Sequence, residues 1–73
     1  MTLDTLKEND KGIIESISDE NLAIQLLAMG FILGEEVKVE RIAPLNDPII
    51  ITSGNSYISI RKKDAQKITI TKT

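Results

Sequence analysis

Few residues in this chain could do chemistry, and the types that are missing say most. The 73 residues contain no histidine and no cysteine. Nucleophilic triads, zinc centres and thiol chemistry are therefore excluded. A dedicated ferrous iron site would also be poorly supplied, since that ion favours imidazole or thiolate beside carboxylate. Carboxylates remain, paired as Asp4 with Glu8, Asp19 with Glu20 and Glu35 with Glu36. Such pairs could hold a hard cation, but an oxygen cage needs about six converging ligands, so solvated charge is the plainer reading. Arg61, Lys62, Lys63 and Lys67 form the one basic cluster. With a net charge of -2, it reads as a solvated end of the domain rather than a phosphate-binding surface. Gly12, Gly30, Gly34 and Gly54 match neither GxGxxG nor GxxxxGK[ST]. No catalytic residue, metal ligand set or cofactor is expected.

The elements that carry these residues must build a core without help. One domain of this length buries only about 60% of its unfolded surface, and no disulfide can staple it. Hydrophobic content is 41% with a single Phe and a single Tyr, so the core is aliphatic, and the many isoleucines favour strands. No basic region followed by an apolar run opens the chain, and no stretch approaches about 20 apolar residues. Neither a signal peptide nor a membrane span is expected, which makes a cytoplasmic protein the natural reading.

The organising stretch is Leu26 to Val39. Gly30 follows a last helical turn and takes the left-handed conformation, so that Phe31 can close over Leu26. Gly34 then opens a turn into Val37 and Val39, which alternate with charged residues as a half-buried strand does. Upstream, Leu3 and Leu6 share one face of a single helical turn. Glu8 to Gly12 reads as a turn with positive φ at Asn9 and Gly12. Ile13 to Ile17 is a first strand whose parity leaves two options: Ile14 exposed, or a bulge. Ser18 or Asp19 caps the helix, along which Leu22, Leu26 and Met29, with Ala23 and Leu27 beside them, form an apolar stripe read as core.

Downstream, Ile42 breaks the parity of Val37 and Val39 and calls for a bulge near Arg41. Pro44 to Pro48 is a loop with Leu45 isolated among polar residues. If Gly54-Asn55 is a two-residue turn, Ile51 faces Ile58 and Ile49 faces Ile60, with both isoleucine pairs on one face. Arg61 to Gln66 holds one turn with Ala65 inward, and Ile68 and Ile70 lie in a last strand. The whole is mainly β: five short strands, with one short α-helix between the first and second. Closing so small a sheet into a barrel is the usual way to protect its edges.

These residues resemble a family. Leu3-x-x-Leu6, Gly12-Ile13-Ile14, Leu26-Leu27-Ala28-Met29-Gly30-Phe31, Gly34-x-x-Val37-x-Val39, Ala43-Pro44-Leu45-x-Asp47-Pro48, Ile60-Arg61, Ala65 and Ile68 look like FeoA, the small ferrous iron transport protein A. The family often has Gly where Asn9 stands and Pro where Leu33 stands. A Gly-Tyr pair common in the fourth strand is replaced around Asn55-Ser56. The resemblance spans residues 1–73 as a single domain and implies an SH3-like β-barrel. It also implies a non-enzymatic role beside FeoB, a membrane transporter with a cytoplasmic GTP-binding domain. A monomer is expected, with no nucleic acid partner and no membrane insertion. The alternative is an SH3-like module that binds nucleic acid or acts in sensing, related to the C-terminal domain of iron-dependent repressors. Partner contacts are expected at Pro44, Leu45, Asn46 and Asp47, and at Met29 and Leu33. Leu26 and Phe31 match the family too but are read as core.

Overall fold

A computed structural model describes residues 1–73. A 3-10 turn at Leu3–Thr5 precedes β1 (Lys11–Ile17), α1 (Glu20–Ala28) and β2 (Glu36–Ile42). A second 3-10 turn at Pro44–Asn46 leads to β3 (Ile49–Ser53), β4 (Ser56–Ile60), α2 (Lys62–Ala65) and β5 (Ile68–Lys72). The sheet is antiparallel in the order β4-β3-β2-β1-β5. Ile14, Val37, Val39, Ile49, Ile51, Ile60, Ile68 and Ile70 come from all five strands into one core, so the sheet wraps around it. Leu3, Leu6, Leu22, Leu26, Phe31 and Ala65 close the remaining sides of that core.

The helix-to-strand corner follows from hydrogen-bond supply. The last carbonyls of a helix have no intrahelical partner. Here the Phe31 amide donates to the Leu26 carbonyl at 2.8 Å, and the Gly30 amide to the Leu27 carbonyl at 3.0 Å. Gly30 has φ +91°, the left-handed residue that this ending requires. Phe31 and Leu26 are both buried, completing the apolar half of the lock. Beyond it, the Gly34 amide donates to the Ile14 carbonyl at 2.8 Å, which ties the corner to β1.

The two parity problems have the same solution. A register shift between Ile14 and Ser16 in the β1–β5 pair buries Ile14 at 1% exposure and still leaves Ile17 against the core. A second shift between Val39 and Arg41 lets Ile42 follow Val37 and Val39 onto the core side. The β3–β4 hairpin has the register expected from its turn, Ile49 with Ile60 and Ile51 with Ile58. Asn9 has φ +74°.

Three expectations change. Gly12 lies within β1, not in the turn before it. A Cβ there would stand 2.9 Å from Ile70 Cδ1 and 3.1 Å from the Thr71 carbonyl oxygen, so close approach of β5 accounts for it. Leu27 and Met29 leave the core stripe. With Leu22 and Leu26 turned inward, they are 62% and 49% exposed on a helix of nine residues. The sheet is not closed by a β4–β5 ladder. β5 spends its outer side on the N-terminus instead: the Ile70 amide donates to the Met1 carbonyl at 2.8 Å, and Thr2 bridges to Thr69.

Replacing Gly30 with Ala forces a Cβ into a left-handed residue and to 3.2 Å from Ser56 Oγ. We expect a loss of about 1–2 kcal/mol, and about 3–5 kcal/mol for Phe31→Ala. Urea unfolding measures both, and an unchanged midpoint for either variant would refute the corner's role.

Candidate functional site

The residues expected at a partner surface fall into two places. Pro44 to Asp47 lies where β3 begins and β4 ends. Asp47 Oδ1 accepts from the Lys62 amide at 3.0 Å and so braces the loop against α2. Met29 and Leu33 flank the corner, whose Gly30 sits over Ser56 at the opposite end of the same hairpin. Five residues of strand, about 15 Å, separate the two ends. The six residues therefore form two patches, not one.

Pro44, Leu45, Asn46 and Asp47 are all exposed, and Leu45 is the large apolar side chain among them. Leu45 is 96% exposed and has φ +70°, a conformation that costs a branched apolar residue about 1–2 kcal/mol. Asn46 follows at φ +64°, and the Asn46 amide donates to the Ala43 carbonyl at 3.0 Å. The fold gains no buried contact from Leu45 in return. Asp47 is exposed too, with one carboxylate oxygen bonded to the Lys62 amide.

The corner patch is larger than the sequence indicated. Ile17, Ala23, Leu27, Phe31, Ile32 and Leu33 line an apolar groove of about 230 Å³. Leu27, Ile32 and Leu33 are exposed there, while Met29 is exposed but not among the lining residues. Leu33 was expected here, whereas Ile17, Leu27 and Ile32 were not. The groove joins residues from β1, α1 and the corner, so no single periodicity reveals it. The signal available in the sequence was the surplus of apolar residues in Leu26 to Leu33 over what one helical stripe can bury.

Charge is segregated around these patches. Between Lys11 and Lys38 the chain carries Glu15, Asp19, Glu20, Glu35 and Glu36 and no lysine or arginine. Of these only Asp19 is in an ion pair, with Lys67 Nζ at 3.1 Å. Lys67 is also 3.6 Å from Asp64, so one cation of the basic cluster is already neutralised within the fold. Arg61, Lys62 and Lys63 stay exposed beside the loop patch. Three of the paired carboxylates are drawn into long-range bonds within the fold. Glu8 accepts from the Ile42 amide at 2.8 Å, Glu35 from Ser53 Oγ at 3.1 Å and Glu36 from Thr73 Oγ1 at 3.0 Å.

Asp19 has a local role as the helix cap. The Leu22 amide donates to its carboxylate at 3.0 Å, and this bond, followed by that from Lys67, holds its carboxyl below the ordinary value. The Asp19 contact in turn raises Lys67 above its ordinary value. A lowered acid stabilises the fold above the unfolded value of 3.8 and loses that contribution as pH falls through the folded value. A raised amine stabilises below the unfolded value of 10.5 and loses its share as pH rises past it. The pair therefore acts across the whole range between. In Asp19→Asn, the urea midpoint should fall near neutral pH and the gap from the unsubstituted protein should narrow in acid. A gap that persists at pH values below the carboxylate range would refute this account.

A small, mainly β domain that leaves an apolar groove and several large apolar side chains on its surface has the character of a binding module. No helix is long and apolar enough to cross a membrane. Residues 1–72 match the family model described as FeoA domain, and the chain belongs to that family. A relative from Porphyromonas gingivalis, an Fe(2+) transport protein A/Fe(2+) transporter FeoB fusion protein, is 31% identical over 71 residues. That match covers 96% of this chain and only 8% of the relative's length. The solution structure of FeoA from Chlorobium tepidum superposes with a TM-score of 0.89 at 31% identity, covering 96% of this chain and 68% of that one. FeoA of Stenotrophomonas maltophilia, described as an SH3 domain protein and crystallised with zinc, gives 0.82 at 26% identity, covering 97% and 89%. The family belongs to ferrous iron transport.

Proposed function

We propose that this chain is a non-enzymatic cytoplasmic accessory protein of ferrous iron uptake. It docks onto the cytoplasmic GTP-binding part of a FeoB-type transporter and tunes its assembly or GTPase cycle. The observation that carries this reading is the Porphyromonas gingivalis relative, in which a segment similar to this chain shares one polypeptide with FeoB. Two partners fused in one chain act at the same place and time, which is the requirement for an adaptor. The fold reads as an SH3-like barrel left open on one side.

The docking surface is assigned to the two exposed apolar patches. Leu45 is held outward at a backbone cost that no core contact offsets, a pattern that belongs to binding loops. The groove bounded by Leu27 and Leu33 offers an aliphatic partner side chain a dry cavity, and burying one such side chain is worth about 1.5–3 kcal/mol. Arg61, Lys62 and Lys63 beside Leu45 give the loop patch a positive rim, which favours an acidic partner surface there and so helps to fix orientation.

Titration against the soluble GTP-binding domain of the transporter, with and without nucleotide, tests the assignment. Leu45→Asp and Leu33→Asp should each weaken binding by about tenfold to a hundredfold. Leu45→Asp should not lower the unfolding midpoint and should raise it slightly, since Leu45 is almost fully exposed and aspartate takes a positive φ more readily than leucine. Folded variants that bind as well as the unsubstituted protein would remove the corresponding patch from the docking surface.

A further inference from the structure

The open sheet leaves one edge whose backbone groups have no partner, and that edge is β4. Gly54-Asn55 makes Ser53 and Ser56 the hydrogen-bonded pair beside a two-residue turn, so Ile51 with Ile58 and Ile49 with Ile60 are bonded as well. Tyr57 and Ser59 fall at the alternate positions, and their amides and carbonyls point away from β3. None of these groups takes part in a backbone bond outside the ladders. The other edge is different, because Met1 and Thr2 already lie along β5.

Exposed edges are normally blunted by lysine, proline, a bulge or a covering element. β4 has none of these: Ser56-Tyr57-Ile58-Ser59-Ile60 is uncharged and pairs with β3 without a register shift. Ile58 on this edge is only half-buried, although it packs against the core.

We propose that β4 pairs with β4 of a second copy, antiparallel and centred on Ile58, to form a two-fold dimer. This goes beyond the transporter-docking reading and does not rest on it. The two-fold places Tyr57 of one protomer opposite Ser59 of its partner, and the reverse. These pairs exchange four backbone hydrogen bonds through the groups that β3 leaves free. Ile58 meets Ile58 at the non-hydrogen-bonded site, with Cα atoms about 4.5 Å apart, and each finishes the burial of the other.

Charge selects the same arrangement. Arg61, Lys62 and Lys63 follow β4 at one end. At the other end Glu35 is held beside the hairpin turn by Ser53 Oγ, which is also 3.2 Å from the Glu36 carbonyl. An antiparallel pair brings Arg61, Lys62 and Lys63 of each protomer toward the end at which Glu35 of the other is held, twice. A parallel pair would set the two basic clusters together. The contact is small and belongs to the weak, transient class of interfaces. The monomer expected from the sequence is then the dilute species.

Sedimentation velocity and amide NMR of the purified chain, taken from micromolar to millimolar concentration, test the proposal. A reversible dimer should form, weaken with added salt, and shift the Tyr57 and Ser59 amides most. Ser59→Pro removes an outward amide from each protomer, two of the four bonds, and should weaken the dimer about tenfold or more. Tyr57→Lys keeps the fold, since Tyr57 is 72% exposed, and should abolish the dimer by charging the edge. A chain that stays monomeric at millimolar concentration overturns the proposal. So does a dimer that Tyr57→Lys leaves intact, or one whose shifted amides lie elsewhere.

Discussion

The structure depends on one bond that reverses the chain, the Phe31 amide donating to the Leu26 carbonyl. It terminates α1, and Gly30 alone supplies the left-handed residue that lets it form. Once made, it sends Phe31 into a core otherwise made of aliphatic side chains and alanine. Without disulfides, a chain this short has little stability in reserve, so the single aromatic in the core sits at its most constrained point. The same reversal leaves Ile32 and Leu33 outward beside Leu27, which the helix already exposes by turning Leu22 and Leu26 inward. The groove is therefore a geometric by-product of the helix and its corner.

Charge follows a comparable economy. The acidic stretch and the basic cluster meet inside the fold only once, at Asp19 and Lys67. Glu35 is held at the turn end of the β3–β4 hairpin, whereas Arg61, Lys62 and Lys63 follow β4 at the other end. Exposed pairs of this kind contribute little to stability, and separated charge acts mainly on orientation and encounter.

How much of this was legible in the sequence depended on whether the signal was local. The β3–β4 register could be read completely, because a two-residue turn admits one pairing and Ile49, Ile51, Ile58 and Ile60 agree with it. The helix cap at Asp19 and the Gly30–Phe31 ending are equally local. Gly12 was misassigned because its reason lies on another strand: the neighbour it accommodates is Ile70. The choice between an exposed Ile14 and a bulge likewise needed β5. Leu27 and Met29 were grouped with the core because periodicity does not say how wide a face the sheet can cover. The groove was invisible for the same reason, and the missing β4–β5 ladder is a long-range feature that no local pattern carries. Leu45 stood out as an isolated apolar residue, but only the structure shows the backbone conformation that holds it outward.

That N-terminal strap along β5 has a consequence for assembly. A sheet with two bare margins can add neighbours on both sides and propagate as a filament. Here Met1 and Thr2 lie against one margin at Ile70 and Thr69, so an incoming strand would have to displace them there. The two margins are thus unequal, and strand addition is favoured on one side only.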